Sequence, residues 1–284
     1  MIQIPRHDVP TRNVKRLLAI LEPDLQGKID DLEEDAEWFS MTLGSALRVF
    51  GVRCAEDPAV AELETWESCV TAMQVSSALF ASARATTDTV ECLIDHKKRA
   101  IRSGAGPWAH AGNWLTAFWL AALCREKRRL NELCEVPVAQ LRNAGGVFDS
   151  YIYDWVEALQ AYWLKQPQLG DKLVAAVDGT DPDVLRHADA DGVLRLMYPP
   201  MNLLTQLARG DAEKFNAELA KAIRWHKEYW TDDEDRELDA QGFVALGLTA
   251  VSCLARDAGF ALTVESEYLP EGLLDAGWVG EFPT

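Results

Sequence analysis

The sequence lacks any apolar run long enough to cross a bilayer. Its most apolar stretch, Trp114–Cys124, has 11 residues, against the roughly 20 that a spanning helix needs. It therefore reads as a buried core helix, and no membrane partner is expected. Met1–Ile20 carries Arg6, Asp8, Arg12, Lys15 and Arg16 with no apolar run ahead of Leu17. This is unlike an export signal, so a cytoplasmic location is expected. Of the six cysteines (Cys54, Cys69, Cys92, Cys124, Cys134, Cys253), no two are closer than ten positions apart. The close pairs that zinc knuckles require are absent, and buried free thiols in a reducing compartment are the expectation.

Catalytic signatures are missing too. The five histidines form no HExxH and no H-x-E followed by a cysteine pair. His226, beside Lys227 and Glu228, is expected at the solvated surface, and His110 in a Gly-rich loop. Gly104, Gly106 and Gly112 follow neither GxxxxGK[ST] nor GxGxxG, and no GxSxG elbow occurs. Asp232-Asp233-Glu234-Asp235 invites comparison with the magnesium-binding aspartate motif of all-helical terpene synthases. That motif needs a third acid at the fifth position, where this chain has Arg236. A start one residue later brings in Glu237 but weakens the opening pair. Neither a catalytic residue, a metal site nor a cofactor is expected, and the chain is read as a non-enzyme.

What the sequence has is acid in three places. Net charge is −17. Residues 22–37 carry −7, residues 228–239 carry −6 and residues 265–284 carry −5, which leaves the rest at +1. Such segments repel phosphate backbones and attract basic proteins, so nucleic acid is not an expected partner. The 22–37 segment alternates with Leu25, Ile29 and Leu32 and reads as the outer face of a helix. Asp232, Asp233, Glu234, Asp235 and Glu237 are the expected partner-binding acids, with Trp225 and Trp230 as candidate aromatic anchors beside them.

The dominant period is helical. Trp66, Val70, Met73, Ser77 and Phe80 form one stripe; Trp114, Leu115, Phe118, Trp119 and Ala122 form a broader one. Ile152, Trp155, Val156, Leu159, Tyr162 and Trp163 form a third, ended by Pro167. Further helices are expected at 11–21 (stopped by Pro23), 36–55, 137–143, 169–178, 182–196 (broken by Pro199 and Pro200), 201–209, 211–230 and 241–257. Val90–Ile94 and Arg99–Arg102, joined by a charged turn, predict a β-hairpin within 90–102, followed by a loop at 103–107. A second extended piece is expected at 261–265. Short links predict an all-α stack of αα-hairpins, tetratricopeptide-like in its packing, over one domain spanning 1–284.

Four stretches resemble the bacterial immunity protein 49 family. They are Glu64–Glu67 leading to Thr71–Val75, Gly112–Leu120 (Gly-Asn-Trp-Leu-Thr-Ala-Phe-Trp-Leu), Tyr198–Leu203 (Tyr-Pro-Pro-Met-Asn-Leu) and Val264–Pro270 (Val-Glu-Ser-Glu-Tyr-Leu-Pro). The resemblance implies an immunity protein of a polymorphic toxin system, made in the producer's cytosol, which binds a cognate toxin domain and blocks it. It carries no catalytic residues over. A basic nuclease domain is one toxin that an acidic inhibitor would fit, by mimicking phosphate. The alternatives are a helical-repeat adaptor for another cellular protein and a metal-dependent helical enzyme.

Overall fold

A computed structural model describes residues 1–284 other than residues 10, 105 and 283. In order, the described elements are β1 (Ile2–Gln3), α1 (Val14–Asp31), α2 (Phe39–Glu56), α3 (Leu63–Arg84), β2 (Thr89–Ile94), β3 (Lys97–Arg102), α4 (Ala111–Leu123) and α5 (Lys127–Cys134). There follow α6 (Val138–Asn143), α7 (Tyr151–Trp163), α8 (Leu169–Asp178), α9 (Ala190–Gly192), α10 (Tyr198–Arg209), α11 (Ala212–Thr231), α12 (Glu234–Glu237), α13 (Leu246–Asp257), β4 (Val264–Glu265) and α14 (Glu271–Leu274). The protein is predominantly all-α, as its periodicity predicts.

Helix hairpins pack in sequence, α1 on α2, α2 on α3, α7 on α8 and α10 on α11, while α13 returns to lie on α4 and α10. That return closes the stack on itself. The second and third tryptophan stripes meet where Trp119 lies 5.9 Å from Trp155, Trp114 stacks on Phe118 with ring centroids 5.3 Å apart, and α3, which carries the first stripe, packs on α4. Trp66, Trp114 and Trp155 are fully buried. The indole N–H of Trp114 donates to the Leu133 carbonyl at 2.9 Å, so a large apolar body is buried without stranding its donor. Local signals set the helix ends. His110 Nδ1 accepts the Asn113 N–H at 3.2 Å to cap α4, Asp211 caps α11 through the Lys214 N–H at 3.0 Å, and Gly210 closes α10 at φ 71.

The hairpin is present as β2 and β3, antiparallel, with Ile94 opposite Lys97. Its two-residue turn, Asp95-His96, has φ 52 and 59, the left-handed pair that matches hairpin twist. The buried Gln74 of α3 fastens that turn by accepting the Asp95 N–H at 2.9 Å. Position 105 of the expected 103–107 loop lies outside the described residues. The extended piece near 261–265 becomes β4, which pairs in parallel with β1.

Two expected helix boundaries are corrected. Pro23 does not stop α1, which runs on to Asp31. Pro23 and Ala19, whose carbonyl loses its partner, both face solvent, so water takes the freed acceptor. The 182–196 helix is not formed as such. The buried Asp149 carboxylate accepts the N–H groups of Arg186, His187 and Ala188 at 2.8, 3.1 and 2.9 Å, which holds that stretch in a turn. Burial pushes the Asp149 carboxyl up, but those three donors outweigh it and set it below its ordinary value. Helical structure begins only at α9, widens to a π-turn over Val193–Met197 and enters α10. Pro199 and Pro200 sit in the first turn of α10, directly after the π-turn.

All six cysteines are buried and unbonded, the nearest pair being Cys69 and Cys124 with sulfurs 4.0 Å apart. Burial pushes the thiols of Cys92 to about 11 and of Cys134 and Cys253 to about 12. Native protein is therefore expected to resist a thiol-alkylating reagent at neutral pH, and the unfolded chain under non-reducing conditions to yield six thiols. A count of four or fewer in fresh material contradicts this.

Candidate partner-binding surface

The three acidic stretches differ in how far the fold neutralises them. In the first, Glu22 pairs with Arg53, Asp24 with Lys28, and Asp30 with Arg99 at 2.7 Å. Arg99 is 4% exposed, and its hydrogen bond holds the Asp30 carboxyl below the usual carboxylate range. Leu25, Ile29 and Leu32 are buried beneath these acids, as the alternation predicts. As far as Asp31 this stretch is the polar side of α1, and Glu22, Asp24, Asp30 and Glu33 are paired within the fold.

The second stretch is different. Asp232 follows the last turn of α11, and Asp233 caps α12 by accepting the N–H groups of Asp235 at 2.8 Å and Arg236 at 3.2 Å. Asp232, Asp233, Glu234 and Asp235 are exposed and Glu237 is half-buried. Among the described residues, no Lys, Arg or His side chain lies within ion-pair distance of these five acids or of Asp239. The one local cation, Arg236, is drawn elsewhere: its guanidinium lies 4.4 Å from the centre of the Tyr229 ring and 3.9 Å from Asp191.

A buried hydrogen-bond network fixes this segment to the core. His7 Nε2 meets the Glu237 carbonyl at 3.1 Å, which requires a proton on that nitrogen. Nδ1 is then free to accept the Tyr268 hydroxyl at 2.6 Å. His226 Nε2 donates likewise to the Gly242 carbonyl at 3.0 Å, and its ring meets Tyr268 edge-on at 4.8 Å. The expectation that His226 is a solvated surface residue is thus corrected: it is 5% exposed. Phe215, Leu219, Ala222, Ile223 and His226 fall at i, i+4, i+7, i+8 and i+11, the inward stripe of α11. Burial lowers both histidines, His226 to about 4, so both are neutral at pH 7.

Two glycines allow the close approach. A Cβ at Gly51 of α2 would lie 2.2 Å from the Ala240 carbonyl oxygen, and one at Gly242 would lie 2.6 Å from the Trp230 ring. Gly51→Ala is expected to destabilise the protein by roughly 1–3 kcal/mol through overpacking against backbone, read as a lower denaturant midpoint. Gly44→Ala, with open space at its Cβ, is the control.

The structure does not bring the two candidate tryptophans together. Five residues apart on α11, they point about 140° apart. Trp230 folds inward over Gly242, while the half-buried Trp225 lies beneath the Lys221 ammonium at 4.3 Å. The apolar residue that accompanies the acids is Leu238, 63% exposed at the mouth of a groove of about 430 Å³ whose lining includes Val14, Leu17, Val52 and Phe243. Sequence reasoning missed it. The one available signal was a lone leucine in an acidic run, where solvation alone asks for none.

Among the described residues, no three His, Cys, Asp or Glu side chains converge to hold a metal ion, and no helix is long and apolar enough to cross a membrane. Fold and composition place the chain among acidic, predominantly all-α proteins. Within that class, the chain belongs to the Immunity protein 49 family, whose family model matches residues 57–273. The matched region takes in α11, the acidic segment, α13 and β4, and leaves out β1, α1 and α2. No curated protein and no solved structure matches the chain.

Proposed function

We propose that this protein is the immunity partner of a bacterial toxin, binding a cognate toxin domain in the producer's cytoplasm and blocking its active or substrate-binding site. It acts by occupancy and performs no reaction. Family membership supports the class of function. The observation that carries the surface assignment is the segment 232–239. Its carboxylates lack cationic partners among the described residues, yet its backbone is held by His7 at Glu237, and His226 holds the chain just beyond it at Gly242. A fixed array of free carboxylates raises the encounter rate with a basic partner and loses little order on binding. Asp232, Asp233, Glu234, Asp235 and Glu237 form the charged part and Leu238 the apolar anchor. Trp225, with its ring partly open, is the aromatic at the margin.

A toxin whose site binds phosphate, such as a basic nuclease domain, has the complementary charge. The reading is tested by producing the toxin domain encoded beside this gene with and without this protein. Restored growth and a stable complex on size-exclusion chromatography are expected. Failure of both sinks the reading.

A further inference from the structure

A groove of about 830 Å³ is lined by residues of β1, β4 and α14, away from the segment 232–239. Its floor is apolar, with Ile4, Pro5, Ala59, Leu262, Leu269 and Leu274. Its rim carries Glu265, Glu267 and Glu271, all exposed and all from the third acidic stretch. Gln3 Nε2 donates to Glu265 at 3.2 Å and the Arg6 N–H to Glu267 at 3.4 Å, which orients two of the carboxylates, and the Arg6 charge acts on Glu267 as well. The single arginine of the lining, Arg256, is engaged by Asp275.

We propose that this groove receives an extended, lysine- or arginine-bearing segment of the partner protein and forms the second half of the partner-binding surface. The inference rests on the reading of the partner as a basic protein, and charge complementarity selects the occupant. Three carboxylates around an apolar trough suit side chains that are apolar along their stems and cationic at their tips. An extended conformation follows from the backbone. Ile2 N–H donates to the Thr263 carbonyl at 2.7 Å and Ile4 N–H to the Glu265 carbonyl at 2.9 Å, so the N–H and C=O of Gln3 point away from β4. That is the geometry from which a strand edge takes an added strand.

The groove and the segment 232–239 flank one short stretch of chain. Residues 5–7 form a strap between them, touching Glu267 on one side and Lys227 and Glu237 on the other. The two cations at the strap keep their charge but are held on neutral acceptors and are outnumbered by the surrounding carboxylates. Arg6 donates to the carbonyls of Cys54 and Ala55 at 2.7 and 3.1 Å, and Lys227 to that of Pro5 at 2.9 Å. Stretches of sequence more than 200 positions apart from β1 thus meet in one acidic face.

The probe is a short synthetic peptide alternating lysine and valine, titrated at physiological salt into methyl-labelled full-length protein and followed by NMR. Saturable binding is expected, with shifts in the methyl signals of Ile4, Leu262, Leu269 and Leu274. The variant E265Q/E267Q/E271Q is expected to weaken it about tenfold or more, while D232N/D233N/E234Q/D235N changes it less than about twofold. Absence of saturable binding, shifts confined to other methyls, or equal losses in the two variants overturns the proposal. The peptide reads the groove alone and the toxin assay reads neutralisation through any surface, so either reading can fail while the other stands.

Discussion

Replacing Asp232, Asp233, Glu234 and Asp235 with their amides is expected to slow association with the cognate toxin about tenfold or more at low salt, and to flatten the dependence of the on-rate on salt. The segment 228–239 carries −6, and Asp232, Asp233, Glu234 and Asp235 lie exposed where no cation among the described residues pairs with them. Separate exposed ion pairs are worth about 0–1 kcal/mol, whereas charge pairs desolvated at an interface couple by roughly 1.5–7 kcal/mol. The field should therefore appear in the on-rate, and any desolvated pairs in the off-rate. Asp233 also caps α12, so circular dichroism and thermal melting of the variant establish that folding persists. An unchanged on-rate with unchanged salt dependence would remove this segment from the docking surface. Amide changes at Glu22, Asp24 and Asp30 should do much less, because Arg53, Lys28 and Arg99 already hold these acids.

The second large effect is on stability against pH. Burial holds the folded-state pKa of His226 at about 4, against an ordinary 6.5. Between those values the unfolded chain takes up a proton that the folded protein refuses. The contribution of neutral His226 is complete above pH 6.5, falls as the pH drops, and is gone near pH 4. The gap corresponds to on the order of 3 kcal/mol. His7 is displaced in the same direction by burial and adds to the loss. Urea unfolding of the wild type should show a falling midpoint across this window, and His226→Gln, which keeps an N–H donor for the Gly242 carbonyl, a shallower fall. Parallel profiles for the two proteins would contradict the assignment. The acidic segment hangs on these same hydrogen bonds, so acid should loosen residues 237–243 before the tryptophan core.

The two effects mark where the sequence was legible and where it was not. Stripes such as Trp66–Phe80 and Trp114–Ala122 announce helices because burial repeats with the helical period, and the charged turn between Ile94 and Arg99 announces the hairpin. Pro23 misled because a proline on a solvent face leaves its orphaned carbonyl to water. The 182–189 turn could not be read locally, since its donors are taken by Asp149, more than 30 positions upstream. His226 looked solvated from its charged neighbours Lys227 and Glu228, but the phase of α11 places it inward while they flank the stripe.

For the candidate surface, the charge of each stretch was visible and its neutralisation was not. Arg99 reaches Asp30 from a hairpin 69 positions away, whereas Arg236, one residue from Asp235, turns aside to Tyr229 and Asp191. The glycine at 51 gave no local signal of a close approach, since Gly44 of the same helix has open space at its Cβ. What it approaches, the Ala240 carbonyl, lies 189 positions on.

The most direct test of the central claim is hydrogen–deuterium exchange of the protein with and without the toxin domain encoded beside its gene. Residues 228–239 and 262–271 should exchange more slowly in the complex, with the hairpin at 89–102 unchanged. Protection confined to the hairpin or to the 143–149 loop, with both acidic segments unaltered, would contradict the account.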